Sequence, residues 1–238
     1  MRKTCQALET LDLSCYNTFM VITWYGLSCF KISSGSLTLI TDPFLKSVGL
    51  TPPRMAADLA IVSNIKSEAS NNVSSLGDKR LFVIDGPGEF DVKELFVHGV
   101  AAQGEGKNKN NGFDYTTIYA IRMEDINLGF LGSLKQRELS DIQLEALENI
   151  DILFVPVGGN TVCDAEEAIT IVNQIEPRIV IPMHFAQKGL KLSLDKLEPF
   201  LKEIGSTKTA SQEKLTIKKS NLADIAAATQ VVVLKEAG

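Results

Sequence analysis

The sequence predicts an α+β fold, an αββα sandwich in which two mixed β-sheets lie face to face between helices. Three observations predict it. As far as Leu131 the chain reads as short strands separated by turn signals. Beyond Leu131 helix and strand alternate, and two mixed sheets sandwiched between helices satisfy that order. Several runs, such as Leu59 to Ser63, are wholly apolar, as strands buried on both faces must be.

Taken in order, Val21 to Tyr25 and Cys29 to Ile32 read as strands with Gly26 between them. Ser33-Ser34-Gly35-Ser36 is a turn, and Leu37 to Thr41 returns as the second arm of a hairpin. After Leu59 to Ser63 come a strand at Leu81 to Ile84, a Gly86-Pro87-Gly88 turn and a strand at Leu95 to His98. Gly104 to Gly112, rich in Gly, Asn and Lys, reads as a polar loop. Thr117 to Arg122 and Ile126 to Leu131 form a hairpin with Glu124-Asp125 at its tip.

Ser140 with Gln143 three residues on is a capping box that opens a helix. Ile152 to Val157 is a strand stopped by Gly158-Gly159. Asp164 caps a helix with apolar residues at Ala168, Ile169, Ile171, Val172 and Ile175, and Pro177 follows its end. Ile179 to Ile181 is a strand, Ser193 caps a last helix ending near Gly205, and Leu215 to Lys218 and Val231 to Leu234 are terminal strands. Met1 to Phe19 has mixed character, without a long apolar segment or a small-residue cleavage site. Residues 1–19 therefore read as an N-terminal extension, and 20–238 as the domain.

Composition narrows the function. The 238 residues are 45% hydrophobic and 22% charged, which suits a buried core without disulfides. The net charge is -5 and the basic residues are scattered, which argues against nucleic-acid binding through phosphate contacts. No apolar run approaches the roughly 20 residues that span a bilayer, so no membrane association is expected. Cys5, Cys15, Cys29 and Cys163 share no C-x-x-C spacing, and Cys29 reads as a buried, inert thiol. Unpaired cysteines fit a reducing cytoplasm.

Several strings together resemble the metallo-β-lactamase superfamily, in particular its small bacterial ascorbate-6-phosphate-lactonase-like metal-dependent hydrolases. Ile22-Thr23-Trp24-Tyr25-Gly26-Leu27-Ser28-Cys29-Phe30 is similar to the first strand, where Gly-His-Ser usually stands. Thr41-Asp42-Pro43-Phe44 resembles the Asp-Pro motif, and Asp85-Gly86-Pro87-Gly88-Glu89-Phe90 a Gly-Pro-Gly-Glu turn. Val155-Pro156-Val157-Gly158-Gly159 and Ile181-Pro182-Met183-His184-Phe185 resemble two late motifs. The resemblance implies a fold of two mixed sheets flanked by helices, with a di-zinc site at their edge. There two metals share a hydroxide and lower the pKa of water. It also implies assembly as a homo-oligomer.

The residues depart from that pattern where the metal ligands belong. After Ile61-Val62-Ser63 the His-x-His-x-Asp-His motif reads Asn64-Ile65-Lys66-Ser67-Glu68-Ala69. The middle histidine position falls near Gly104, the bridging aspartate is Ser133, and the first-strand histidine is Leu27. Of the ligand positions only His184 keeps its residue type, with Asp42 as an acid behind the site. The whole chain holds two histidines, His98 and His184, too few for a histidine-built zinc pair.

The expectation is therefore a non-catalytic member of a hydrolase family with a vestigial site at Asp42, Asn64, Lys66, Glu68, Ser133 and His184. No zinc or other cofactor is expected. The module would take a protein partner or small ligand. Lys66 is expected to pair with Glu68 or Asp42 in place of the missing cationic charge. The competing reading is an active hydrolase of a small phosphate, ester or lactone, remodelled around His184.

Overall fold

Alternating polarity shapes the first strands. In the computed structural model, which describes residues 19–77, 80–107, 113–223, 225 and 228–237, β1 (Met20–Trp24) and β2 (Phe30–Ser34) bury every second residue. They pair antiparallel, and β3 (Leu37–Thr41) closes the hairpin. β4 (Leu59–Ile61), buried throughout, and β5 (Phe82–Ile84) join parallel to β3, and β12 (Leu215–Ile217) pairs with β1 on the far edge. This sheet has six strands in the order β12-β1-β2-β3-β4-β5.

The second sheet has seven strands. β6 (Gly88–Val92), β7 (Leu95–Lys107), β8 (Phe113–Met123) and β9 (Ile126–Phe130) form an antiparallel meander. β10 (Ile152–Pro156), β11 (Ile179–Met183) and β13 (Gln230–Val231) extend it in parallel, giving the order β13-β11-β10-β9-β8-β7-β6. β10 and β11 are buried at all positions, as crossover strands covered on both faces must be.

The main core lies between the sheets. Phe30 meets Phe154 across it with ring centroids 4.7 Å apart, and Trp24 meets Phe185 at 5.0 Å. A second core packs α1 (Asp141–Ala146), α2 (Ala165–Ile175) and α3 (Glu198–Glu203) on the outside of the seven-stranded sheet, around Leu153, Val180, Ile171 and Phe200. A third covers the outer face of the six-stranded sheet, where Leu27, Ile40 and Ala60 meet Phe44, Val48 and Leu76. The 3-10 turns at Lys46–Val48 and Val73–Ser75 supply the helical part of that layer among the described residues. This is the αββα sandwich the sequence predicts. Among the described residues no helix is long and apolar enough to cross a membrane.

The expected capping box forms at Ser140–Gln143, and the expected Asp164 cap forms one as well, with Glu167. Four readings need correction. The loop expected from Gly104 is strand as far as Lys107, because β7 pairs with β8 through Gln103↔Tyr115 and Lys107↔Phe113. Gly104 serves close packing there, since a Cβ would meet Thr116 N at 3.1 Å. Residues 108–112 lie outside the described residues. Gly88 begins the edge strand β6 and does not merely end a turn. The last long-loop helix starts at Glu198, with Leu197 at its N-cap and a proline in its first turn, not at Ser193. A short helix α4 (Lys219–Ala223) follows β12 unforeseen. The expected extension falls, up to residue 18, outside the described residues.

Candidate functional site

The loops after β3, β4 and β11 leave the carboxyl ends of parallel strands, where open α/β sheets place their ligands. Three backbone positions there are left-handed in residues other than glycine: Leu27 at φ 48°, Asp42 at φ 37° and His184 at φ 54°. Such conformations persist where the surroundings over-determine them. Leu27 is held three ways. Its carbonyl accepts from Trp24 Nε1 at 2.9 Å and from His184 N at 3.1 Å, and its N–H donates to Gln187 Oε1 at 2.9 Å.

The named residues divide into two groups. In the first, Asp42 is 1% exposed and its carboxylate takes both donors of Ser63, backbone N to Oδ1 and Oγ to Oδ2, each at 2.7 Å. Burial lifts its pKa to about 7 even though the two Ser63 bonds pull the other way. The Ser63 carbonyl in turn accepts from Thr116 Oγ1 at 3.1 Å and Thr117 N at 2.8 Å. Ser133, 5% exposed, shares a 3.3 Å hydrogen bond with Thr116 Oγ1. Ser133 and Asp42 thus meet through Ser63 and Thr116, in a network of hydroxyls.

His184 centres the second group. It is 3% exposed, with Nδ1 hydrogen-bonded to Ser28 Oγ at 2.8 Å. Burial pushes its pKa down to about 4, so the imidazole is neutral at pH 7. It lines a cavity of about 150 Å³ with Glu68, Ala69, Ser67, Ser47 and Lys191. Glu68 Oε2 accepts from Ser47 Oγ at 2.7 Å, which ties it to the 3-10 turn across the cavity.

Asn64 and Lys66 are brought to neither group. Asn64 Oδ1 accepts from Lys66 N at 3.0 Å, a local turn that spends the side chain on its own loop. The expected pairing of Lys66 with Glu68 or Asp42 does not form. Lys66 is 74% exposed and reaches Asp114 at 3.8 Å, because both carboxylates already have hydroxyl or backbone donors. Ala69 and Leu27 are packed in the outer core. Cys29 is buried and its thiol is held protonated by burial, as the sequence suggested, and His98 is a half-buried strand residue.

A zinc pair needs imidazole, thiolate or carboxylate donors converging at roughly 2.0–2.3 Å. Of the ligand positions only Glu68 and His184 keep competent donors, while the others supply an amide, an ammonium, a hydroxyl and two apolar side chains, so the residues do not fit a zinc pair. Among the described residues no three His, Cys, Asp or Glu side chains come together to hold an ion. Sequence reasoning missed Ser28 and Ser63, the hydroxyls that satisfy the buried His184 and Asp42, and Thr116, which links Ser63 to Ser133. Ser28 and Ser63 stand inside the family-like strings, and a buried ionisable group with no charged partner is the signal that would have found them.

The chain was compared with known proteins. A family described as "Beta-lactamase superfamily domain" matches residues 21–184. A UPF0173 metal-dependent hydrolase of Listeria monocytogenes is 25% identical over 205 residues, covering 70% of this chain and 85% of the relative. A UPF0173 protein of Pyrococcus abyssi is 26% identical over 186 residues, covering 71% and 85%. Among solved structures, a Thermotoga maritima protein assigned to the Zn-dependent hydrolases of the metallo-β-lactamase superfamily superposes with TM-score 0.71 at 28% identity. The match covers 90% of this chain and 98% of that one.

Proposed function

The chain belongs to the metallo-β-lactamase superfamily, and we propose that it is a non-catalytic member that keeps the hydrolase fold as a binding or assembly module. One observation carries the reading: four of the family's ligand positions are occupied by groups committed to structure. Leu27 and Ala69 are core, Asn64 closes its own turn, and Ser133 bonds Thr116. Fold membership supplies no activity by itself, since chemistry belongs to the site.

Within this reading the chain sits in the lactonase-like branch, supported by its Asp85-Gly86-Pro87-Gly88-Glu89-Phe90 string. It works in the cytoplasm as a homo-oligomer, through the domain 20–238. The alternative, a hydrolase remodelled around His184, has one observation in favour: His184 does line a cavity. An imidazole with a pKa near 4 is nevertheless a feeble base at pH 7.

Native mass spectrometry of the purified protein, with assays on phosphodiester and lactone substrates, tests the proposal. No stoichiometric zinc and no turnover above buffer are expected. Tightly held zinc, or turnover abolished by His184→Ala, would overturn it. Introducing Asn64→His, Lys66→His, Glu68→Asp, Ala69→His and Ser133→Asp together should confer zinc binding that weakens below pH ~6 as the imidazoles protonate.

A further inference from the structure

A large concavity lies on the other side of the Lys46–Val48 turn from His184. It is a groove of about 1160 Å³ built by the loop after β3, the Val73–Ser75 turn, the loop after β11 and the C-terminal tail beside β1. The turn is a shared wall. Ser47 and Val48 line the His184 cavity, whereas Lys46 and Gly49 line the groove.

Three cations, Lys46, Arg54 and Lys188, stand around this groove, all exposed. None is in an ion pair among the described residues. On a chain of net charge -5, three cations against one carboxylate on one concave surface are a local reversal of sign. Glu236, the carboxylate among the lining residues, is engaged by Gln187 Nε2 at 2.9 Å.

The remaining lining is of two kinds. Hydroxyl donors stand at Tyr25 and Thr51, while Pro52, Pro53 and Met55 give an apolar wall. Cations with hydroxyls suit phosphate oxygens, and the wall suits a planar or apolar body attached to them. At this volume the groove admits a molecule the size of a nucleotide. Its place at the carboxyl ends of parallel strands is where α/β sheets carry such ligands.

We propose that this groove binds a phosphorylated small molecule with an apolar or planar body, its phosphate held by Lys46, Arg54 and Lys188. The site is separate from the vestigial metal site and does not depend on how that site is read.

Calorimetric titration of the full chain at low salt tests it, with ATP, coenzyme A and phenyl phosphate as probes. Adenosine and inorganic tripolyphosphate are the controls that carry body or charge alone. At least one phosphorylated probe should bind about tenfold or more tighter than either control, and lose about tenfold in affinity between low and physiological salt. The variant K46E/R54E/K188E should abolish binding. Should that variant fold poorly, Arg54→Gln and Lys188→Gln singly should each weaken binding several-fold. His184→Ala, in the neighbouring cavity, should leave it unchanged. No binding by any phosphorylated probe, binding no tighter than tripolyphosphate, indifference to the charge variants, or loss on His184→Ala overturns the proposal.

Discussion

Asp42 and His184 are both buried, and burial shifts each toward its neutral form, one by favouring a proton and the other by refusing one. Burial moves Asp42 from 3.8 to about 7 and His184 from 6.5 to about 4. The signs follow from linkage. Between those values the folded Asp42 keeps a proton that the unfolded chain releases, so its contribution to stability falls as pH rises. Over the overlapping window from about pH 4 to 6.5, the unfolded His184 carries a proton that the folded chain excludes, so its contribution rises with pH. The two slopes oppose each other in the wild type. Asp42→Asn should unmask the histidine, and stability should then climb relative to wild type by up to about 1.4 kcal/mol per pH unit across that window. His184→Gln should tilt it the other way. Urea unfolding at several pH values reads both, and parallel profiles for wild type and Asp42→Asn would remove the aspartate as a titrating group.

Among the elements, the 3-10 turn Lys46–Val48 carries the most weight for its length. It closes the outer core with Val48, separates the two cavities, and is fastened to the loop after β11 by Lys191 N donating to Val48 O at 2.8 Å. Gly49 ends it at φ 102°, and a Cβ there would strike the Gly189 carbonyl and meet Lys191 N at 3.0 Å. Both obstacles are backbone, so neither moves cheaply. Gly49→Ala should cost at least about 1 kcal/mol, more than the entropy gained from losing a glycine. Equal denaturant midpoints for the two proteins would mean that the turn can lift off its neighbour without loss. Longer elements were easier to read. α2 carries its capping box and its apolar face within the 11 residues Ala165–Ile175, so local sequence suffices. β6 is a partly exposed edge strand whose pairing with β7 rests on register, which no local pattern announces.

For the molecule as a whole, the described residues from Met20 onward form both sheets of the sandwich. Among the described residues Met20, at 1% exposure, is the first of the inter-sheet core, while Phe19 is 46% exposed and meets the Lys218 ammonium at 5.4 Å from its ring. An exposed cation–π contact is worth about 0.5–1 kcal/mol. Deleting residues 1–19 should therefore move the thermal midpoint by no more than about 2–4 °C. Loss of soluble protein on that truncation would show that the segment belongs to the domain. The sequence by itself determined most of the order of elements, because alternation and wholly apolar runs record which faces are buried. It also determined that most of the ligand positions lack ligands, because residue type alone decides whether an atom can bind a metal. Only the tertiary structure decided what those positions do instead. It linked Asp42 to Ser133 through Ser63 and Thr116, set His184 and Glu68 around one cavity, sent Lys66 to Asp114, and supplied Ser28 and Ser63 as the hydrogen-bonding partners of the buried histidine and aspartate. It also gathered Lys46, Arg54 and Lys188 around one groove. These partners lie far apart along the chain, as Ser28 and His184 do at a separation of 156 residues, and a local pattern carries no record of such a meeting.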